Sequence, residues 1–283
     1  MSVLLDTGSG GLKRAVVHTP EAMGELYLQG AHVTQWNPSG TRPVLFLSTR
    51  SAYAAGKAIR GGIPVIFPWF GGREGNLPGP AHGFARSMEW RVERTGDEGL
   101  ELALEPTDAT RALGFGGLQA RFRVVFGTTL QMELEVRNSS EAEVKYEEAL
   151  HTYFSIADID QTYVTGLEGT TYVDKTDGFK VKQHGDGPVR IAKETDQVHG
   201  ATGATCVVHD PVWKRRILVE KTGSLSTIVW NPWIEKTRGM PDMGPEEWRS
   251  MICVESGNAG ADAVHLAPGA SHTLRTVLRV EQD

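Results

Sequence analysis

Residues 130 to 137 alternate strictly. Leu130, Met132, Leu134 and Val136 are apolar, while Gln131, Glu133, Glu135 and Arg137 are polar. A period of two puts each set on its own face of a pleated strand, so this segment has one dry side and one wet side. The pattern returns near the C-terminus, where Arg275 and Arg279 separate Leu274, Thr276, Leu278 and Val280, with Val277 breaking the polar side. A long half-dry strand must cover its apolar face with another layer.

Helices to form that layer are scarce. Ser51–Ala58 offers two turns with Ser51 as N-cap, and Pro245–Met251 offers a short helix with Pro first and acids in its first turn. Strand patterns instead recur at Arg14–His18, Glu25–Gln29, His32–Trp36, Val44–Leu47, Glu89–Arg94, Leu100–Leu104, Arg121–Thr128, Lys145–Ile156, Ala204–His209, Ile217–Glu220, Ser226–Trp230 and Met251–Glu255. Gly and Pro supply 33 and 14 residues, about 17% of the chain against a usual ~12%, which suits many turns. No βαβ alternation, fixed repeat or linker divides the 283 residues. The expectation is all-β: one domain over residues 1–283, a large antiparallel β-sandwich with a few short helices in its connections.

Several function classes are excluded. The net charge is −6 and the chain has no basic stripe, so a nucleic-acid partner is not expected. An anionic substrate would have to be held by a few placed cations. The longest apolar run, Ile63 to Phe70, is too short to span a membrane, and the N-terminus lacks the basic start of a signal peptide. Cys206 and Cys253 form no CxxC pair, and the nine histidines form no zinc-like spacing. Nucleotide, serine-hydrolase and metalloprotease signatures are also missing. The chain is expected to be cytoplasmic and to bind no metal. What remains is acid–base chemistry, binding or scaffolding.

Six segments carry chemical potential. Arg60-Gly61-Gly62 sets a planar donor fork beside two glycines that would let backbone approach a ligand, and Trp69 and Phe70 downstream could wall a sugar ring. His82 and Arg86 stand four apart in a Gly/Pro-rich loop. Strand alternation from 147 to 154 puts Glu147, Ala149, His151 and Tyr153 on one face, making His151 a candidate general acid kept charged by Glu147. Glu255 ends a run of four apolar residues, where a carboxylate is costly unless paired or working. Trp230-Asn231-Pro232-Trp233 with Asp242, and Glu194 with Asp196, complete the set. Each also has a plain reading as core side chain, solvated charge or ordinary turn.

Taken in order, RGGIPVIFPWFG from Arg60, HGFARSMEW from His82, LHTYF from Leu150, ETDQV from Glu194, VWNPW from Val229, PDMG from Pro241 and CVESGN from Cys253 resemble one family. They resemble the hexose-6-phosphate mutarotases, also called glucose-6-phosphate 1-epimerases, within the aldose 1-epimerase (galactose mutarotase-like) superfamily. The resemblance runs from about Gly30 to the C-terminus. It implies a galactose mutarotase-like β-sandwich that interconverts the α and β anomers of hexose 6-phosphates by acid–base ring opening. His151 looks like the catalytic acid and Glu255 like the base. Arg60 and Arg86 look like the phosphate holders, Asp196 like a binder of sugar hydroxyls, and His82 and Trp69 like pocket residues. The implied partner is a small-molecule sugar phosphate, with no cofactor, in a monomer or weak homodimer. Ala81, Gln197 and His199 depart from the pattern of relatives. On the residues alone, an epimerase of unphosphorylated sugars and a non-catalytic carbohydrate-binding sandwich stay open.

Overall fold

Leu130 lies opposite Leu278, and Leu134 opposite Leu274, so the two alternating segments are neighbours in one sheet. Their apolar faces are buried, except at Val280, which is partly so. The computed structural model describes residues 2–282. The nine-stranded sheet that contains this pair runs, edge to edge, Val189–Arg190, Tyr163–Thr165, Cys206–Asp210, Arg215–Thr222, Ser271–Gln282, Thr129–Asn138, Leu118–Phe126, Gly99–Leu104 and Arg91–Thr95.

A second, eight-stranded sheet runs Lys180–Gln183, Thr171–Asp174, Thr195–His199, Ser226–Asn231, Met251–Asn258, Glu148–Leu150 and Val65–Ile66, with Tyr153–Ser155 paired to Met251–Asn258. Every pairing in both sheets is antiparallel. One apolar cluster draws Ile217, Leu274 and Leu278 from the first sheet and Val229, Ile252 and Val254 from the second, so the sheets pack face to face. A four-stranded meander, Ser2–Thr7 to His32–Pro38, adds Val17, Leu26 and Trp36 to the same cluster. The fold is the large antiparallel β-sandwich that the strand periodicity predicts.

Some local expectations change. Ser51–Ala58 is not helical, because the Gln29 side chain takes its backbone groups: the amide donates to Ala54 O and Lys57 O and accepts from Gly56 N–H. Pro245–Met251 yields only a 3-10 turn, Glu247–Ser250. Val44–Leu47 makes isolated bridges, to Phe154 and Gly61. Two short α-helices, Asp108–Ala112 and Trp233–Arg238, lie in connections. The 145–156 segment is not continuous but breaks into Val144–Tyr146, Glu148–Leu150 and Tyr153–Ser155. No helix among the described residues is long and apolar enough to cross a membrane.

Candidate active site

All eight residues of the strand Met251–Asn258 are buried. Ile252 and Val254 enter the main core, while Met251 and Cys253 turn the other way into a smaller cluster with Phe46, Tyr153, Trp230 and Met243. Neither face meets water, which is why the sequence reads as an unbroken apolar run there. Glu255 continues the parity of Met251 and Cys253, so its carboxyl enters the second face, only 1% exposed. On that face Cys253 lies opposite both Tyr153 and Trp230, and Trp230 lies opposite Asp196. Glu255 itself continues through Ile228 to Val198.

His151 occupies the break between Glu148–Leu150 and Tyr153–Ser155. Its backbone N–H donates to Pro64 O at 3.0 Å, and Tyr153 N–H donates to Gly62 O at 2.9 Å, so the break is shaped by the 62–64 segment. The imidazole stacks on Tyr153 (centroids 4.8 Å apart, 12° between planes) and meets His82 and Trp230 edge-on at 5.6 and 6.0 Å. Its Nδ1 lies 3.3 Å from Glu255 Oε1. The contact lacks hydrogen-bond alignment: among the described residues nothing hydrogen-bonds His151 Nδ1 or either Glu255 oxygen. Buried polar atoms are almost always paired, so these three are open to a polar ligand.

Burial dominates the electrostatics of the pair. It raises Glu255 well above the usual carboxylate range, reinforced by Asp196 and opposed by Lys175 and Arg86. It holds His151 well below its ordinary value, helped by His82, Arg86 and Arg60. The expectation of a histidine already charged beside Glu147 is therefore corrected. Glu147 instead accepts backbone hydrogen bonds from Phe70 and Gly260 at 2.8 and 2.6 Å, and His82, Arg86 and Arg60 oppose a proton on His151. Imidazole plus carboxylic acid holds as many protons as imidazolium plus carboxylate. The pair thus needs only an internal proton shift to become an ion pair.

Three cations surround this centre. Arg60 donates from Nε and Nη2 to Asp242 Oδ2 at 3.1 and 3.0 Å, and from Nη1 to Tyr153 Oη at 2.9 Å. Arg86 donates to the Ala81 carbonyl at 2.8 Å, and no carboxylate of the described residues lies within ion-pairing distance of it. Burial and the Arg60 charge both press its guanidinium below its usual range. Lys175 lies 3.3 Å from Asp196 Oδ2, with its ammonium 4.9 Å from the Phe70 ring centroid. His82 accepts a hydrogen bond from Gly71 N–H at Nδ1, 3.3 Å, which leaves the proton of the neutral ring on Nε2. Burial, Arg86, Lys175 and Arg60 keep that ring neutral.

The structure thus brings His151, Glu255 and His82 together, with Arg60, Arg86 and Asp196 acting on the same centre. Trp69 is placed elsewhere, as a core side chain that packs on Phe84 and Phe115 and donates from Nε1 to Pro80 O at 2.9 Å. Its indole is consumed in pinning the 78–84 loop, so the aromatic wall is Trp230 and Tyr153. Gly61 and Gly62 also serve the fold: both have positive φ, and a Cβ there would stand 2.3 Å from Phe46 O or 2.4 Å from Val33 O. Lys175 was not singled out from the sequence. It follows the strand Thr171–Asp174, and nothing in its neighbours marks it off from a surface lysine.

His151, Cys253 and Glu255 offer ligand atoms within 4.8 Å of one another, close enough to bracket an ion. The donor chemistry opposes one: burial and Glu255 hold the Cys253 thiol protonated, and two guanidinium groups already act on the centre. The site suits a polar, hydroxyl-rich ligand carrying negative charge.

Comparison with known proteins identifies the family. A profile of the aldose 1-epimerase family matches residues 16–279. A protein of Escherichia coli strain K12, provisionally named glucose-6-phosphate 1-epimerase, is 35% identical over 251 residues, 86% of this chain and 82% of its own. One from Cenchrus ciliaris with the same provisional name is 32% identical over 289 residues, 97% of this chain and 86% of its own. The crystal structure of a provisionally assigned mutarotase (YeaD) from Salmonella typhimurium superposes with a TM-score of 0.90 at 30% identity, covering 99% of this chain and 94% of the other. The chain belongs to the aldose 1-epimerase family, the isomerases that exchange the anomers of an aldose.

Proposed function

We propose that this protein interconverts the α and β anomers of hexose 6-phosphates, glucose 6-phosphate foremost, with Glu255 and His151 as the proton-transfer pair. The observation that carries this reading is the set of three unpartnered buried atoms, His151 Nδ1 and both Glu255 oxygens, on side chains that approach to 3.3 Å. The provisional names of the Escherichia coli and Cenchrus ciliaris relatives support the phosphorylated substrate. So does Arg86, a half-buried cation with no carboxylate in ion-pairing distance, which a phosphate would satisfy. Arg60 is already matched by Asp242 and serves as its supporting cation.

In this reading Glu255, as carboxylate, takes the proton of the C1 hydroxyl while His151, as imidazolium, gives one to the ring oxygen. The bond between C1 and the ring oxygen breaks, C1 becomes an aldehyde and the ring oxygen a hydroxyl. Rotation about the C1–C2 bond and reversal of both transfers closes the other anomer. Each positioned proton transfer contributes about 10²–10⁴-fold, enough for so mild a reaction. Asp196 accepts hydrogen bonds from ring hydroxyls, and Trp230 offers its ring as an apolar wall. The test is anomer exchange of glucose 6-phosphate followed by NMR. Exchange well above the buffer rate, lost in Glu255→Gln, supports the reading, and ligand binding with no rate above buffer overturns it.

A further inference from the structure

The cations that would hold the phosphate also act on the general acid. Arg60 donates to Tyr153 Oη at 2.9 Å, and the Tyr153 ring stacks on His151 at 4.8 Å. Arg86 sits in the same loop as His82, whose ring meets His151 at 5.6 Å. The Asp242 carboxylate pairs directly with Arg60, whereas Asp242 and Glu255 act on Arg86 only from beyond ion-pairing distance. The pocket without substrate is therefore hostile to an imidazolium, which the proposed reaction requires. A phosphate dianion would reverse that field.

We propose that the phosphate of the substrate is a catalytic effector as well as a handle: seated on Arg86 and Arg60, it cancels their field at His151 and lets the imidazole carry the proton destined for the ring oxygen. The inference rests on the hexose 6-phosphate reading above and adds to it that specificity is expressed in turnover, beyond binding. The groups facing His151 are Glu255 and Cys253 on one strand, Tyr153 on its own segment, His82 and Arg86 on the loop above, and Arg60. Of these, only Arg86 and Arg60 are fixed cations, so an anion bound to them weakens the opposing field at its source. Burial raises the proton affinity of Glu255 and lowers that of His151, so a proton held on Glu255 reaches His151 with no outside donor.

The test separates the two halves of a sugar phosphate. Anomer exchange of unphosphorylated glucose is followed by NMR with and without sodium phosphite at matched ionic strength, subtracting the enzyme-free rate. Phosphite should raise enzymatic turnover of glucose about tenfold, the size of one unit in proton affinity. The activation should vanish in Arg86→Met. In addition, the alkaline limb of kcat, where the acid loses its proton, should lie at higher pH for glucose 6-phosphate than for glucose. Phosphite that is inert or only inhibitory, activation that persists in Arg86→Met, or coincident alkaline limbs overturns the inference while glucose 6-phosphate turnover leaves the parent reading standing. No exchange of glucose 6-phosphate above buffer overturns the parent reading itself.

Discussion

His151 Nδ1 lies 3.3 Å from Glu255 Oε1, yet neither atom has a hydrogen-bond partner among the described residues. Stacking on Tyr153 orients the imidazole plane, and strand parity directs Glu255 onto the same face, where the two groups approach without hydrogen-bond alignment. A pair held near but not bonded keeps its lone pairs for a third molecule. Such an arrangement costs stability and is expected where function requires it.

Removing either member should end catalysis without ending folding. Glu255→Gln and His151→Asn are each expected to lower kcat by about 10²–10⁴-fold while far-UV circular dichroism stays that of wild type. NMR exchange spectra at saturating glucose 6-phosphate measure the loss. A variant retaining more than a tenth of wild-type turnover removes that residue from the reaction.

Burial of Glu255 also has a stability signature. Its folded-state proton affinity is raised, so as pH climbs above the ordinary carboxylate range the unfolded chain releases a proton that the folded chain retains. The stability it permits is therefore present at low pH and is lost as pH rises. Glu255→Gln is expected to gain Tm over wild type, with a larger gain at pH 8 than at pH 5. Thermal melts at the two pH values decide this, and equal gains would show that burial imposes no such penalty.

The two arginines should separate by mutation. Arg86→Ala removes the unmatched cation and is expected to raise KM for glucose 6-phosphate about 10–150-fold, the range for one charge-assisted hydrogen bond. Arg60→Ala strips the partner of Asp242 and leaves that carboxylate to repel the phosphate. Adding Asp242→Asn to Arg60→Ala should then recover part of the loss, a coupling typical of ion-paired neighbours. Initial-rate kinetics on the three variants provide the check, and strict additivity contradicts the assignment.

Lys175 and Asp196 should behave as one unit. Their charged groups lie 3.3 Å apart in a partly buried wall, where burial raises the Asp196 proton affinity and Lys175 opposes it. Asp196→Asn and Lys175→Met are each expected to raise KM about tenfold, and the double variant should be no worse than Asp196→Asn alone. Steady-state kinetics give the cycle, and a product of the two single effects would separate the residues.

Both thiols should be inert in the folded protein. Burial pushes Cys206 up to about 11 and Cys253 well above its usual range. Iodoacetamide at pH 8 should therefore add nothing to the native chain and two groups after denaturation, by intact mass. A native adduct would show that one strand opens readily.

The sequence by itself determined the sandwich. Period-two segments such as 130–137 and 274–280 admit one buried face each, and the structure pairs those two segments in register. It also marked Glu255, because a carboxylate after four apolar residues needs a reason to be there. Where one local pattern served several purposes, the sequence was ambiguous: the glycines after Arg60 relieve backbone crowding, and Trp69 braces a loop. What only the tertiary structure decided is which charges remain unmatched. Asp242 lies 182 residues from Arg60 and neutralises it, while Arg86 receives only a carbonyl. It likewise decided that His151 rests in a field unfavourable to its proton, since burial and the approach of Arg60, Arg86 and His82 arise from chain segments far apart in sequence. Strand periodicity is a local property that neighbouring residues encode. The balance of charge in a cavity is a sum over distant segments, and it exists only once the sheets have closed.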